Sequence, residues 1–301
     1  MNTYAIDFET YYDKEISITT LGQWHYLRHD KSDIYLVAIH GPGVDYVGNP
    51  KRAPWGKIDG ARWIAHNYSF DGAVIQKLRE SGECKATPSV WDCTANLSVA
   101  VGAPRNLAGA SRELLNRKID KDPRDKMHSK RWIDVEATDF GKEVIEYARQ
   151  DAQACYQIDE KFGDQLLPME QELSRHTISM GWSGVYVDKE SVEKGIKVLE
   201  RKTWECENSL PWIDETDGVV LSTKAFRREC VKAGIPWPSS MAENSEECAL
   251  WEAQYGDKVP FVGIMRDWRK ANSLLAKMKV MLARIRPDGT MGYGLKYMGA
   301  H

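Results

Sequence analysis

The chain opens on an alternating stretch, TYAIDFE at residues 3–9, in which bulky apolar side chains take every second position. The aromatic and aliphatic residues fall on one face, whereas Asp7 and Glu9 share the other. Because successive side chains of a β-strand point to opposite faces, the stretch predicts a strand anchored by its apolar face. The two carboxylates then project side by side.

Two neighbouring carboxylates repel one another, and a cation between them is the usual relief. An acidic pair on the solvated face of an edge strand is the alternative. This stretch alone leaves both interpretations open.

Outward from this strand, short β-branched runs alternate with helical patterns. Mixed elements of this kind predict a three-layer α/β domain. Further strands are expected at 34–40, 44–47 and 62–65, and helices at 70–79, 94–101, 107–115 and 142–162.

The character of the chain changes after Leu167, from where helical patterns joined by polar loops predominate. We therefore expect two domains, an α/β domain over 1–167 and a mainly α-helical domain over 168–301. Helices of the second domain are predicted at 168–180, 189–209, 223–233 and 260–285.

The composition is that of a soluble globular protein, with 42% hydrophobic and 28% charged residues among 301. No run approaches the roughly 18 apolar residues of a membrane span, so no membrane partner is expected. The N-terminus lacks the features of a secretory signal, and the six cysteines are scattered. Reduced thiols in a cytoplasmic protein are the expectation.

Charge is distributed unevenly along the chain, although the net charge is only −3. Residues 261–301 contain eight Lys/Arg against two Asp/Glu, whereas residues 201–260 contain seven against eleven. The basic C-terminal end favours a local contact with a polyanion.

Three further polar residues lie at positions that bear on the function of the chain. Asp71 follows the predicted strand at 62–65 at a strand-to-helix junction, where helix capping is an alternative role. Tyr147 and Asp151 lie four residues apart in a helical stretch, so their side chains share a face. A solvent-facing polar pair is the alternative there.

In this order, D-x-E, N-x-x-x-D and Y-x-x-x-D resemble the motifs of the DnaQ-like (DEDD) 3′→5′ proofreading exonucleases. The match is to the tyrosine subclass, because Glu146 stands where the histidine subclass has its histidine. The resemblance implies a ribonuclease H-like mixed sheet with flanking helices. It also implies metal-dependent removal of 3′-terminal nucleotides from single-stranded or frayed DNA, which releases nucleoside 5′-monophosphates.

The same resemblance implies two Mg²⁺ or Mn²⁺ ions held by Asp7, Glu9, Asp71 and Asp151. Asp7 would bridge both ions, Glu9 and Asp151 would complete the water-activating site, and Asp71 would reach the second ion. Tyr147 would orient the attacking hydroxide. Carboxylate oxygens and retained waters are the ligands that such hard cations prefer.

Contacts with the DNA strand are implied at Thr10, Asn67 and Phe70, the last by packing on a base or sugar. A place in the apolar core is the alternative for Phe70.

The helical half resembles the region between exonuclease and palm in family A (polymerase I-like, phage-type) DNA polymerases. Residues 170–188 resemble the linker helix, 266–282 the thumb helix, and 294–301 (GLKYMGAH) the segment before the palm. No palm or finger motif is present in the sequence, so this chain alone is expected to lack polymerase activity. A separate palm/fingers portion and replication proteins are expected partners, and the origin is expected to be phage, prophage or bacterial.

The thumb-like stretch also has an amphipathic pattern. At about 100° per residue, an apolar stripe (Trp268, Ala271, Leu275, Met278 and Leu282) lies opposite a basic arc (Arg266, Arg269, Lys270, Lys277 and Arg284). We expect Arg266, Lys270 and Lys277 to contact the phosphate backbone of a primer–template duplex. An ordinary solvated helix face is the alternative.

Two other functions remain compatible with the motifs. Ribonuclease D-like RNA 3′-processing nucleases share the tyrosine signature. A non-catalytic DNA-binding module of the same fold is the alternative from another class of protein.

Overall fold

The structure is a computed structural model, and it describes residues 1–119, 122–216, 218–242 and 245–298. The last three residues of the GLKYMGAH segment lie outside these ranges. The chain forms two compact units, of which the second is Val187–Ile285. The first unit comprises Met1–Tyr186 together with the described residues from Arg286 onward.

A five-stranded mixed sheet forms the centre of the first unit, in the order β3-β2-β1-β4-β5. β2 runs antiparallel to β1 and β3, whereas β1, β4 and β5 are parallel. The central position of β1 excludes the alternative of an acidic pair on an edge strand. The strands are β1 (Thr3–Thr10), β2 (Ile34–Gly41), β3 (Val44–Gly48), β4 (Arg62–Ala65) and β5 (Val90–Cys93), with a separate antiparallel pair of β6 (Val185–Tyr186) and β7 (Thr290–Met291).

Helices cover both faces of this sheet, which confirms the predicted mixed α/β class. The helices of this unit are α1 (Ile18–Leu21), α2 (Gln23–Arg28), α3 (Trp55–Ile58), α4 (Tyr68–Glu80), α5 (Thr94–Ala100), α6 (Leu107–Leu115), α7 (Asp122–Lys126), α8 (Trp132–Val135), α9 (Asp139–Phe162) and α10 (Pro168–Ser183), with 3₁₀ turns at Pro50–Arg52 and Gly163–Gln165.

The alternation in β1 decides which layer each side chain enters. Ile6 and Phe8 are buried in the large core beside residues of α2, α3 and α4. Ala5 is buried on the other face, against Ile64 of β4 and Cys155 of α9. Asp7 and Glu9 share the face of Ala5, so the sheet directs both carboxylates toward α9.

The first unit extends beyond the predicted boundary at residue 167, because α10 is bonded to its sheet. Arg175 Nε donates to Asp92 Oδ1 at 2.5 Å, and Asn96 Nδ2 donates to Ser174 Oγ at 2.6 Å. The chain also returns to this unit at Arg286, and Arg105 donates to the carbonyl of Met298 at 3.2 Å. The first compact unit therefore ends at Tyr186 and resumes at Arg286, whereas the sequence predicted a boundary at residue 167.

The second unit is mainly helical, as predicted. Its core is aromatic, with Trp212, Phe226 and Phe261 packed edge to face. Its helices are α11 (Lys189–Asn208), α12 (Thr223–Lys232), α13 (Glu246–Tyr255) and α14 (Pro260–Ala283), with a 3₁₀ turn at Asp214–Thr216.

No helix within the described ranges is long and apolar enough to cross a membrane.

Candidate active site

Two elements bring four of the predicted site residues together. β1 directs Asp7 and Glu9 toward α9, and α9 carries Tyr147 and Asp151 one turn apart. The Tyr147 hydroxyl hydrogen-bonds the Asp151 carboxylate. Tyr147 and Asp151 are only 7% and 8% exposed, so the alternative of a solvent-facing polar pair on α9 is excluded.

Asp71 enters the same site from α4. Its carboxylate is 2% exposed, and the Phe8 amide of β1 donates to its Oδ1 at 3.3 Å. The N-cap of α4 is Asn67, in the left-handed conformation with φ 98° and ψ 52°. Capping is therefore not the role of Asp71, which instead ties the first turn of α4 to the central strand.

An open cavity of about 760 Å³ is lined by these four carboxylates and Tyr147. The cavity is also lined by the three residues predicted to contact a DNA strand, Thr10, Asn67 and Phe70. Thr10 Oγ1 accepts a hydrogen bond from the Tyr26 hydroxyl at 2.7 Å. Phe70 is half-buried and packs against the core, as its alternative role predicted, and the packing on a base or sugar stays a prediction.

Burial and mutual repulsion raise the pKa of the carboxyl groups. The pKa of Asp7 lies well above its ordinary value, first because of burial and then because of the negative charges of Glu9, Asp151 and Asp71. Burial and Asp151 raise the pKa of Glu9 to about 8. Burial raises the pKa of Asp71, although the Phe8 amide opposes this. An ionised cluster is therefore costly without a cation.

The donor set fits a hard divalent cation. Asp7 Oδ2 is buried and has no hydrogen-bond partner in the described part of the chain. No group of three or more His, Cys, Asp or Glu side chains in that part is arranged to hold one ion. Magnesium is commonly bound through one or two carboxylates and keeps several waters, so it does not need three protein ligands.

Burial, followed by the charges of Asp151, Glu9 and Asp7, raises the pKa of the Tyr147 phenol above its ordinary value. The phenol is therefore protonated at neutral pH and acts as a hydrogen-bond donor.

Sequence patterns missed some residues that line the cavity, among them His66, Arg105, Arg124 and Lys296. Arg124 lies in α7, a five-residue helix too short for a periodic pattern. Lys296 reaches the cavity only because the chain returns to the first unit. Local spacing contains no signal for either position.

The basic arc of α14 is only partly formed. Arg269 is ion-paired with Glu252 of α13, and its Nη1 donates to the carbonyl of Met241 at 2.7 Å. Arg266 lies 3.7 Å from the Asp267 carboxylate. The predicted face of five cations is therefore wrong for Arg269, which lies at the edge of the arc and within reach of α13. Lys270 and Lys277 are exposed.

Comparisons with known proteins find a likeness in fold and none in sequence. No protein-family model and no curated protein matches the sequence. A solved structure that it resembles is the POL domain of Pol1 from M. smegmatis in complex with DNA primer-template and dNTP. The TM-score is 0.54 at 13% identity, over 87% of this chain and 46% of that chain. The likeness is one of fold, and the chain spans less than half the length of this neighbour.

Proposed function

We propose that the first unit is a ribonuclease H-like 3′→5′ exodeoxyribonuclease domain of the tyrosine subclass, dependent on two divalent cations. One observation carries the proposal: β1, α4 and α9 direct four carboxylates and a protonated tyrosine into a single open cavity. The five residues come from three segments that are far apart in sequence, and a structural role alone does not require four carboxylates to converge.

Asp7, Glu9, Asp71 and Asp151 would hold the two cations. When bound, such ions supply an activated water and neutralise charge on the leaving oxygen. In the overall reaction one water is added across the P–O3′ bond, its oxygen to phosphorus and a proton to the 3′-oxygen. Tyr147 would orient the nucleophile by donating to it the hydroxyl proton that bonds the Asp151 carboxylate in the absence of a cation. Thr10, Asn67 and Phe70 would position the terminal nucleotides along the cavity wall.

Metal binding should be visible as thermal stabilisation of the protein. A ligand that binds only the folded state contributes about 2.7 kcal/mol at a hundredfold excess over its Kd. We expect MgCl₂ or MnCl₂ to raise the melting temperature relative to EDTA at equal ionic strength. Asp7→Asn should lose most of this rise, and should melt higher than wild type in EDTA because one repelling charge is gone. An equal rise in both proteins would contradict the assignment of Asp7 as a ligand.

We further propose that the second unit contacts primer–template duplex through α14. The similar structure from M. smegmatis contains primer-template DNA. Lys270 and Lys277 are exposed on α14 and remain available for phosphate contacts, which are largely independent of sequence. Arg266 would contribute after leaving Asp267.

A Lys270→Ala/Lys277→Ala double variant should bind primer–template duplex more weakly, because two phosphate contacts are lost. The slope of log affinity against log salt should fall by about one to two. Fluorescence anisotropy over a salt series measures both quantities. The matched control is Lys224→Ala/Lys258→Ala, which removes two exposed charges elsewhere in the same unit. Equal slopes in the two double variants would show that the basic face of α14 is an ordinary solvated surface and does not bind phosphate.

A ribonuclease D-like activity is the second candidate, because it uses the same tyrosine signature. Matched single-stranded DNA and RNA oligonucleotides, mixed in one reaction with distinct labels, separate the two. The proposal expects DNA to disappear first. Faster loss of RNA would favour the ribonuclease, and stability of both with tight DNA binding would favour a non-catalytic module.

A further inference from the structure

Arg124 is a cationic side chain in the wall of the carboxylate cavity, and the predicted catalytic set does not use it. It lies in α7, between Asp122 and Lys126.

Two contacts hold α7 in place at this wall. The Tyr12 hydroxyl donates to the Arg124 carbonyl at 3.0 Å, and Tyr12 lies two residues after the end of the strand that carries Asp7 and Glu9. Met127, the residue directly after α7, is buried in a cluster with residues of β2 and α9. The backbone of Arg124 is thereby fixed to the same elements that position the carboxylates.

The guanidinium interacts with the carboxylates at longer range. Its positive charge lowers the pKa of Asp7 and of Glu9, against the larger effect of burial. Within the described ranges the side chain makes no hydrogen bond and no ion pair within 4.0 Å, whereas its carbonyl is bonded. Its donors are therefore available to a ligand in the cavity.

A phosphodiester entering this cavity is an anion that approaches four carboxylates. The guanidinium is planar and presents paired N–H donors that match phosphate oxygens. A donor fixed in advance where charge develops stabilises the transition state more than the ground state. A cation that only balanced the carboxylates would be expected to pair with one of them.

We propose that Arg124 binds a non-bridging oxygen of the scissile phosphodiester, a role that rests on the proposed exonuclease function. The guanidinium takes no part in bond making. It positions the phosphate and stabilises the charge that grows on its oxygens as water is added.

Binding in EDTA tests this role without hydrolysis. The probes are a fluorescein-labelled twelve-nucleotide oligothymidylate and the same oligonucleotide with an uncharged methylphosphonate at its 3′-terminal linkage. Wild type should bind the charged probe about tenfold more tightly than the neutral one. Arg124→Ala should bind the charged probe about as weakly as wild type binds the neutral one, and should scarcely distinguish the two. Lys126→Ala on the same helix is the control and should match wild type.

Turnover gives a second readout. Arg124→Ala should lower kcat about 10²–10³-fold, with partial recovery in Arg124→Lys, which retains the charge but not the planar fork. An Arg124→Ala protein that is folded by circular dichroism and still discriminates the probes as wild type does would overturn the inference. So would unchanged discrimination with tighter Mg²⁺ binding, which is the signature of charge balance alone. Absence of hydrolysis by wild type would remove the proposed function, while the binding comparison would still decide the role of Arg124.

Discussion

Asp7→Ala is expected to lower the rate of DNA hydrolysis by roughly three powers of ten or more. Asp7 lies on the central strand, and Glu9, Asp71 and Asp151 all act on its carboxylate electrostatically. Removal of the ligand proposed to be shared by both cations affects the attacking water and the leaving oxygen together. Single-turnover degradation of a labelled single strand in excess enzyme measures the chemical step without product release.

The matched control is Asp30→Ala, which removes an exposed carboxylate from the same unit. It should retain wild-type rates. Retention of more than about a tenth of wild-type activity by a folded Asp7→Ala protein would exclude the metal assignment.

Tyr147→Phe should be milder, with a loss of about 10–10³-fold in kcat, because one oriented hydrogen bond disappears while the carboxylates remain. The phenol is buried beside Asp151 and protonated, so Phe preserves its packing and removes only the donor. The Mg²⁺-dependent rise in melting temperature should be retained. Parallel rate and melting measurements separate orientation of the nucleophile from metal binding.

Tyr156→Phe is the control on the same helix, because Tyr156 packs edge to face with His40 rather than in the cavity. It should leave the rate unchanged. A fully active Tyr147→Phe would contradict the proposed role of the phenol. Equal loss in Tyr147→Phe and Asp7→Ala, with Mg²⁺ binding retained in the tyrosine variant, would assign the phenol a larger role than orientation.

Local periodicity was sufficient to predict β1 and the paired direction of Asp7 and Glu9. The backbone of a β-strand directs successive side chains to opposite faces, and the apolar side chains of this strand are buried in the core. The i, i+4 spacing of Tyr147 and Asp151 likewise predicted one helix face. Both patterns are local. The mixed α/β class, the pair of carboxylates on β1 and the pair of side chains on α9 could therefore be predicted from the sequence.

Features that depend on distant contacts were not predictable in this way. β5 is four residues long, VWDC, and lacks alternation, and its pairing with β4 decides its structure. The bond from Arg175 to Asp92 draws α10 into the first unit and moves the division past residue 167. The pairing of Arg269 with Glu252 removes one cation from the predicted arc. Each of these depends on a partner that sequence spacing does not reveal.

The most direct measurement of the central claim is a time course on one single-stranded DNA labelled at either end. With Mg²⁺, a 5′-labelled strand should shorten through a ladder of single-nucleotide steps, and a 3′-labelled strand should release labelled nucleoside 5′-monophosphate at once. EDTA should stop both, and the Asp7→Ala preparation excludes a contaminating nuclease. Release of mononucleotide first from the 5′ end, internal cleavage, or degradation that persists in EDTA would contradict a metal-dependent 3′→5′ exonuclease.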